Sequence, residues 1–231
     1  FGDNLSGSVN IFENGEIERI SSIPARSSLG IFFEQAALLL GMKDLEDTGK
    51  VMCLADYWNS QENENMMRDF FKVKGLNVIS KYGTIKRYLE MEKILWRCNR
   101  EQFANMVQKT LENCMLQLFK NAIEQTGIKK VCWAGGVASN VKANRIVRLY
   151  SGLKEWFVFP HMGDGGLAVG AALYVDWLLH GIKSNKLEDV FLGPEYSENE
   201  IESELKKSKL SYEYRSDVAE LAGDLISKEK F

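Results

Sequence analysis

The sequence lacks the features that mark membrane proteins and nucleic-acid-binding proteins. No apolar run approaches the roughly 20 residues that a membrane-spanning helix needs. The 29 lysines and arginines are balanced by 32 aspartates and glutamates, so no excess of positive charge is present for binding a phosphate backbone. We therefore expect neither a membrane nor a nucleic acid as a partner.

Cysteine and histidine are also scarce. The four cysteines form no Cys-x-x-Cys pair and show no metal-ligand spacing: they are Cys53, Cys98, Cys114 and Cys132. Their apolar or helical surroundings predict reduced thiols in the core, which favours a cytoplasmic location. Of the two histidines, His161 beside a loop is either a proton carrier or ligand or a hydrogen-bonded bystander. His180 ends a predicted helix, where it suits the helix dipole.

The remaining composition is that of a globular protein, with 45% hydrophobic, 11% aromatic and 26% charged residues among 231. The chain has no initiator methionine and no secretory signal, and the helical pattern over 219–226 has no cap. We therefore expect a piece of a longer protein.

Local patterns predict a mixed α/β chain. Asn14-Gly15 between two alternating runs predicts a hairpin. In the second half, strand, loop and helix follow one another twice, which indicates a parallel strand pair. The apolar stretch from Leu167 to Leu179 predicts a buried helix. The other elements that we predict are helices over 28–40, 47–57, 84–97, 101–125 and 139–149 and strands over 71–73, 78–80, 130–134 and 156–159.

The first loop of interest follows the strand over 130–134. Gly135 and Gly136 would let the backbone approach a flat ligand such as a purine, because glycine has no Cβ. Ser139 and Asn140 could bind a ribose or a base through their side chains. The alternative is a tight turn in which Ser139 is the helix N-cap.

The second loop follows the strand over 156–159. Asp164 lies among Gly163, Gly165 and Gly166, directly before a predicted helix. A carboxylate at this place could hold a metal ion or orient a phosphate through one, and it could also simply cap the helix. A cap does not require three surrounding glycines, so the two interpretations are evenly matched.

Two further segments could contact an anion or a sugar. Arg26 and the paired serines Ser27 and Ser28 precede a predicted helix, although Ser27 as a plain N-cap is the stronger interpretation. Lys50 lies near the start of another helix, where a cation is electrostatically unfavourable. This position favours an anionic partner for Lys50.

The motifs taken together resemble a known superfamily. The segment 135–140, about two dozen residues before 163–166, resembles the nucleotide-binding half of the actin–sugar kinase–heat-shock ATPase superfamily. Within it, the chain is most similar to O-carbamoyltransferases of nodulation-factor and antibiotic biosynthesis, because segments 27–30, 50–57 and 192–197 fit that family in the same order. The resemblance runs from the first residues to about Ser197.

The resemblance implies a fold and a domain organisation. The fold would be an actin-like, ribonuclease-H-like ATPase lobe with a mixed sheet flanked by helices, together with a helical insertion. Residues 1–196 would form the carbamoyltransferase domain, with a peripheral insertion at about 59–98. Residues 197–231 would begin the connection to a C-terminal domain of the same protein.

The resemblance also implies a reaction. A carbamoyl group, activated as an adenylate from carbamoyl phosphate and ATP, would pass to a hydroxyl of a small molecule or sugar. The residues implied on the adenylate side are Gly135, Gly136, Val137, Ser139, Asn140, Gly163 and Gly165. Asp164 would bind a divalent metal, iron or magnesium, and Arg26, Ser28 and Lys50 would serve the acceptor or phosphate side. Self-association into a homodimer is left open.

The chain departs from the family pattern in three places. The histidine-rich metal motif that usually lies upstream is absent, and so is the domain that would make the carbamoyl adenylate. Around Ala55 the chain has lost two glycines that the family tends to have. These departures leave two alternatives open: a nucleotide-binding regulatory or scaffold module without transfer activity, and a sugar or acetate kinase of the same superfamily.

Overall fold

A computed structural model of the chain describes residues 4–43, 46–59, 61, 64–181, 187 and 189–228. The chain divides into two units, Phe1–Ser184 and Asn185–Phe231. The strands of the first unit are β1 (Leu5–Glu13), β2 (Glu16–Pro24), β3 (Phe71–Lys74), β4 (Asn77–Ser80), β5 (Lys130–Trp133) and β6 (Glu155–Val158). Its helices are α1 (Leu29–Leu39), α2 (Thr48–Leu54), α3 (Thr84–Leu95), α4 (Arg100–Thr126), α5 (Val141–Tyr150) and α6 (Gly166–His180). The second unit contains α7 (Glu198–Lys207) and α8 (Val218–Ser227).

The strands among the described residues form three separate two-stranded sheets. β1–β2 and β3–β4 are antiparallel, and β5–β6 is parallel, with Val131 opposite Trp156. The α/β class and the parallel pair are therefore confirmed. The described strands do not join in the one mixed sheet that we expected, because each pair is hydrogen-bonded only within itself.

The β1–β2 hairpin shows how local chemistry selects a turn. Asn14 has φ +53° and Gly15 has φ +84°, and Glu13 lies opposite Glu16 across the turn. Positive φ at both central residues matches the right-handed twist of the flanking strands, and asparagine and glycine reach it at least cost. The predicted hairpin is confirmed.

The long helix α4 runs through the centre of the first unit. Asn99 caps its start by accepting a hydrogen bond from the Gln102 backbone nitrogen at 2.7 Å, and Gly127 ends it with φ +71°. The fully buried side chains of α4 are Phe103, Ala104, Met106, Val107 and Gln108. Because α4 is buried along most of its first four turns, polar as well as apolar side chains of this helix lie inside the protein.

Residues in the segment 59–98, the predicted insertion, also contribute to the core. The hairpin β3–β4 and helix α3 lie in this segment. Its buried apolar side chains are Met67, Phe70, Phe71, Leu76, Val78, Met91 and Ile94. Phe71 packs edge-on against Phe32 of α1 with ring centroids 5.2 Å apart. These contacts join the segment to the helices that precede and follow it.

Helix α6 is confirmed as a helix, but its predicted burial is wrong. None of its side chains is buried, and Leu167 and Leu179 are 70% and 72% exposed. A helix that is apolar on every side is normally covered on every side, and the described elements do not cover this one. Within the described ranges, no helix combines the length and apolar character required to cross a bilayer.

The cysteines follow the prediction only in part. All four are free thiols. Cys114 is buried, and burial raises its pKa to about 12 because the thiolate would lose its hydration. Cys53 and Cys132 are exposed, so their predicted place in the core is wrong: apolar sequence neighbours do not guarantee cover from the rest of the chain.

Candidate functional site

The two glycine-rich loops meet at one end of the parallel strand pair. Trp133 and Val158, the last residues of β5 and β6, lie opposite each other, so both loops leave the same edge. The Gly135 backbone nitrogen donates a hydrogen bond to the Met162 carbonyl oxygen at 2.7 Å. The carboxyl ends of parallel strands are where α/β proteins bind ligands, and this bond ties the two loops into one candidate site.

The first loop is open around its glycines. Gly135 has φ +106° and ψ 164°, a conformation that is essentially restricted to glycine. Cβ atoms placed on Gly135 or Gly136 would have no other atom within 4 Å. The backbone of this loop therefore leaves room for a flat group to approach.

The end of the first loop is held by its own side chains. Ser139 Oγ donates to the Gly136 carbonyl oxygen at 2.6 Å, within a short 3-10 turn over Gly136–Ser139. The N-cap of α5 is Asn140 and not Ser139, since Asn140 Oδ1 accepts from the Ala143 backbone nitrogen at 2.9 Å. The Asn140 side chain is 8% exposed and pairs with Gln108 of α4.

Asp164 presents a free carboxylate in the second loop. Its side chain has no hydrogen-bond or ion-pair partner among the described residues and is exposed. The N-cap of α6 is Gly165, which offers no capping side chain. Capping therefore does not account for the carboxylate of Asp164.

His161 explains two of the glycines that surround Asp164. A Cβ on Gly165 would lie 2.2 Å from His161 Nε2, and a Cβ on Gly166 would lie 2.3 Å from the His161 carbonyl oxygen. Both distances are far below van der Waals contact, so the loop can pass this close to His161 only where side chains are missing. The predicted functional need for three glycines is thus partly a packing requirement.

The segment 27–30, where α1 begins, lies beside the first loop. A Cβ on Gly30 would lie 3.7 Å from Val137 Cγ2, in ordinary contact. The N-cap of α1 is Ser28, whose Oγ accepts from the Ile31 nitrogen at 3.0 Å. Ser27, the N-cap that we predicted, instead accepts from the Ser80 backbone nitrogen at 3.1 Å, because β4 lies directly beside it.

Comparison with known proteins identifies the family. A sequence profile described as the carbamoyltransferase N-terminus matches residues 1–173. The chain belongs to this carbamoyltransferase family. The match contains both glycine-rich loops and the start of α6, so the candidate site lies within the part of the chain that defines the family.

Curated relatives are similar over most of the chain. The uncharacterized protein MJ1058 of Methanocaldococcus jannaschii is 30% identical over 87% of this chain and 35% of its own length. Nodulation protein NolO of Bradyrhizobium diazoefficiens is 29% identical over 98% of this chain and 43% of its own length. The chain thus spans less than half the length of these two relatives.

In this carbamoyltransferase domain the Lys50 side chain already has an anionic partner. Lys50 Nζ lies 2.7 Å from Asp47 Oδ1, one helical turn away. The hydrogen bond from Lys50 and a second one from the Lys43 backbone hold the pKa of Asp47 below its usual value. No hydrogen bond or ion pair between described residues joins Lys50 to either loop. Asp56, in the same family motif, contacts Lys142 in the first turn of α5, the helix that follows the first loop.

Arg26 is held in place by a residue that the sequence did not reveal. Arg87 of α3 is fully buried. Its Nη1 donates to the Arg26 carbonyl oxygen at 3.2 Å, and its Nε donates to Gln35 Oε1 at 2.8 Å. Burial lowers the pKa of Arg87 to about 10, because the buried guanidinium loses hydration. Arg26 itself is exposed, at the turn that Arg87 anchors.

The described residues do not make a metal site on their own. They contain no group of three or more histidine, cysteine, aspartate or glutamate side chains that could hold a metal ion. Asp164 is a single ligand of the expected kind, whereas a bound divalent ion needs several. Two surface cavities of about 440 and 470 Å³ are lined by other elements and by no residue of either loop.

Proposed function

We propose that the chain is the nucleotide-binding domain of an O-carbamoyltransferase. In this proposal a carbamoyl group passes from a carbamoyl adenylate, made from carbamoyl phosphate and ATP, to a hydroxyl of a small molecule or sugar. Membership of the carbamoyltransferase family supports the reaction type. The hydrogen bond from Gly135 to Met162 carries the assignment of the site, because it joins the two glycine-rich loops at the strand ends.

The first loop is proposed to hold the adenylate. Gly135 and Gly136 leave open space above the backbone, which suits the flat face of an adenine. Val137 is half-buried beside Gly30 and can offer an apolar contact to the base or ribose. Ser139 lies at the rim and is exposed. An ATP adenylate would therefore be bound mainly by backbone and shape.

Asp164 is proposed to act on the polar end of the bound group. Its carboxylate is exposed and unpaired among the described residues. Asp164 lies two residues after Met162, whose carbonyl oxygen accepts the hydrogen bond from Gly135 of the first loop. Because the described residues do not complete a metal site, we derive no step through a metal ion. The carboxylate can accept a proton or orient a hydrogen-bond donor of the substrate.

The acceptor side is proposed to involve Arg26 more than Lys50. Arg26 is exposed on an anchored turn, and its guanidinium is suited to bidentate contacts with phosphate or carboxylate. Lys50 is neutralised by Asp47, and the Ser28 hydroxyl caps α1. A C-terminal domain of the same protein would supply the carbamoyl adenylate.

The experiment is carbamoyl transfer from carbamoyl phosphate, with ATP, to a panel of hydroxyl acceptors, measured on the whole protein. We expect Asp164→Asn and Asp164→Ala to lower kcat about 100-fold, the lower end of what a positioned proton acceptor contributes. Asp69→Ala is the matched control, since Asp69 is an exposed aspartate on the β3 side of the unit. Full activity of the Asp164 variants would remove this residue from the mechanism.

A second candidate is a nucleotide-binding regulatory module without transfer activity. The Lys50–Asp47 ion pair favours this candidate. The Lys50 ammonium group, which the family motif would offer to a phosphate, is already paired with a carboxylate of the same chain. ATP binding by the whole protein without consumption of carbamoyl phosphate would select this candidate. ATP hydrolysis that depends on a sugar but not on carbamoyl phosphate would instead select a kinase.

A further inference from the structure

A chain of buried polar side chains connects helix α4 to the first glycine-rich loop. Gln108 Nε2 donates to Glu112 Oε1 at 2.8 Å and to Asn140 Oδ1 at 3.0 Å. In return, Asn140 Nδ2 donates to Gln108 Oε1 at 2.9 Å. Gln108 is fully buried, and Glu112 and Asn140 are 3% and 8% exposed. Polar groups buried to this extent are kept only where their hydrogen bonds are made.

The hydrogen bonds of this chain permit one orientation of each amide. Asn140 Oδ1 must face the Ala143 backbone nitrogen, because that group is a donor and cannot accept. Asn140 Nδ2 therefore faces Gln108, which must present its Oε1 there. The ionised carboxylate of Glu112 is an acceptor only, so it requires the Gln108 Nε2 on its side. The three side chains agree on a single arrangement.

The carboxylate at the far end of this chain is itself balanced. Lys109 Nζ lies 3.2 Å from Glu112 Oε2, and the Lys109 side chain reaches solvent. One oxygen of Glu112 is thus paired with Lys109 while the other accepts from the Gln108 amide, so both oxygens of this buried carboxylate have partners.

We propose that Gln108 is a positioning residue for the loop 135–140, and that Glu112 sets the orientation of the Gln108 amide. This inference rests on the proposed function, since the loop is the part that would hold ATP. The three hydrogen bonds of Asn140 commit its side chain to the protein, so Asn140 holds the loop in place and the backbone of the loop meets the nucleotide. Gln108 acts through Asn140 and touches no ligand.

The main test replaces Gln108 by glutamate in the whole protein. Gln108→Glu keeps the size of the side chain but turns its donor into an acceptor, facing both Glu112 and Asn140 Oδ1. We expect the KM for ATP to rise at least tenfold while kcat stays within about twofold, since losing the two hydrogen bonds that Nε2 donates weakens the loop's support by at least this order. Gln117→Glu, an exposed site on the same helix, is the matched control and should change neither value.

A second readout does not depend on turnover. Hydrogen exchange of the backbone amides over 138–144 should be faster in Gln108→Glu than in Gln117→Glu, with exchange elsewhere on α4 equal. Glu112→Gln, with Gln108 unchanged, can still accept from Gln108 and should keep nearly all of the wild-type protection. If Gln108→Glu does not fold, Asn140→Ser keeps a capping hydroxyl but loses the amide pair, and should show the same local exchange.

The outcomes separate this inference from the proposed function. If the wild-type protein neither binds ATP nor transfers carbamoyl groups, the proposed function is wrong, and the exchange experiment alone decides whether Gln108 positions the loop. If exchange over 138–144 in Gln108→Glu and Asn140→Ser matches that of the control, the positioning role is wrong. Equal KM for ATP in Gln108→Glu and Gln117→Glu would overturn it as well.

Discussion

The two glycine-rich loops leave adjacent parallel strands in the same way, yet glycine serves a different purpose in each. In the first loop Gly135 has φ +106° and open space beside it. In the second loop Gly165 and Gly166 have no such φ and are crowded by His161. The first loop needs glycine for backbone conformation, whereas the second needs it for close packing.

The helices that follow the two loops differ as well. Helix α5 begins at a capping side chain, Asn140, which is buried against α4. Helix α6 begins at Gly165 without a side-chain cap, and none of its side chains is buried. The first loop is therefore supported from outside by the core, whereas the second passes close to its own His161. Similar glycine patterns thus arise from different physical causes, and substitutions can separate them.

The largest effect is expected at Gly166. An alanine Cβ would lie 2.3 Å from the His161 carbonyl oxygen and 3.2 Å from Phe159 Cδ1, and backbone cannot move aside as a side chain can. We expect Gly166→Ala to lower the free energy of unfolding by about 3 kcal/mol, as overpacking of a close contact does. Urea unfolding of the wild-type protein and the variant measures this change in the free energy of unfolding. Gly163→Ala, which meets no atom within 4 Å, should be neutral; equal effects would contradict crowding as the cause.

The next effect is expected at the support of the first loop. Asn140→Ala removes a helix cap and leaves Gln108 Oε1 buried without a donor, which together should lower the free energy of unfolding by about 2 to 3 kcal/mol. Asn99→Ala removes an exposed cap of α4 alone and should lose about 1 kcal/mol. Chemical unfolding of both variants isolates the buried amide pair, and identical losses would show that the pair adds nothing.

A substitution at Gly135 tests whether the first loop needs glycine for its backbone conformation. Gly135→Ala forces an alanine into φ +106° and should lower stability by about 1 to 2 kcal/mol through backbone strain. Gly136→Ala, at ordinary φ and with equal space around it, should lose less. Thermal unfolding of the two variants provides the measurement. A Gly136→Ala variant as unstable as Gly135→Ala would point to a cause other than φ.

The smallest effect is expected at Gly165. Its Cβ would meet the end of the His161 ring, 2.2 Å from Nε2, and a side chain can rotate away. Gly165→Ala should therefore lower the free energy of unfolding by only about 1 kcal/mol. In a double-mutant cycle, His161→Ala should remove most of that loss. Additive losses in the double variant would show that His161 is not what Gly165 accommodates.

Local features of the fold were predictable, because they depend on residues close together in the chain. The Asn14-Gly15 turn, the helix predicted over 101–125 and the two strand–loop–helix units are of this kind. Two of the cap residues were not predicted: Ser28 and Asn140 cap their helices, where Ser27 was the stronger interpretation and Ser139 an alternative. Neighbouring serines and asparagines cap equally well by propensity, so contacts from β4 and α4 decide between them.

The supports of the candidate site were also beyond prediction. Arg87 and Gln108 are polar residues within helices, and such residues are normally solvent-exposed. Their burial arises because α1, β4 and the first loop pack against them from distant parts of the chain. The Lys50–Asp47 pair is local, and its i, i+3 spacing could have revealed it.

The sequence by itself determined the α/β class, the hairpin and the parallel strand pair. It also determined that a glycine-rich loop follows each strand of that pair. These features depend on turn chemistry and hydrophobic periodicity, which act over a few residues. Tertiary structure alone decided which glycine serves conformation and which serves packing. It also decided which polar side chains are buried, and that an apolar helix such as α6 stays exposed. Each of these depends on what the rest of the chain places beside a residue, and that information is not local.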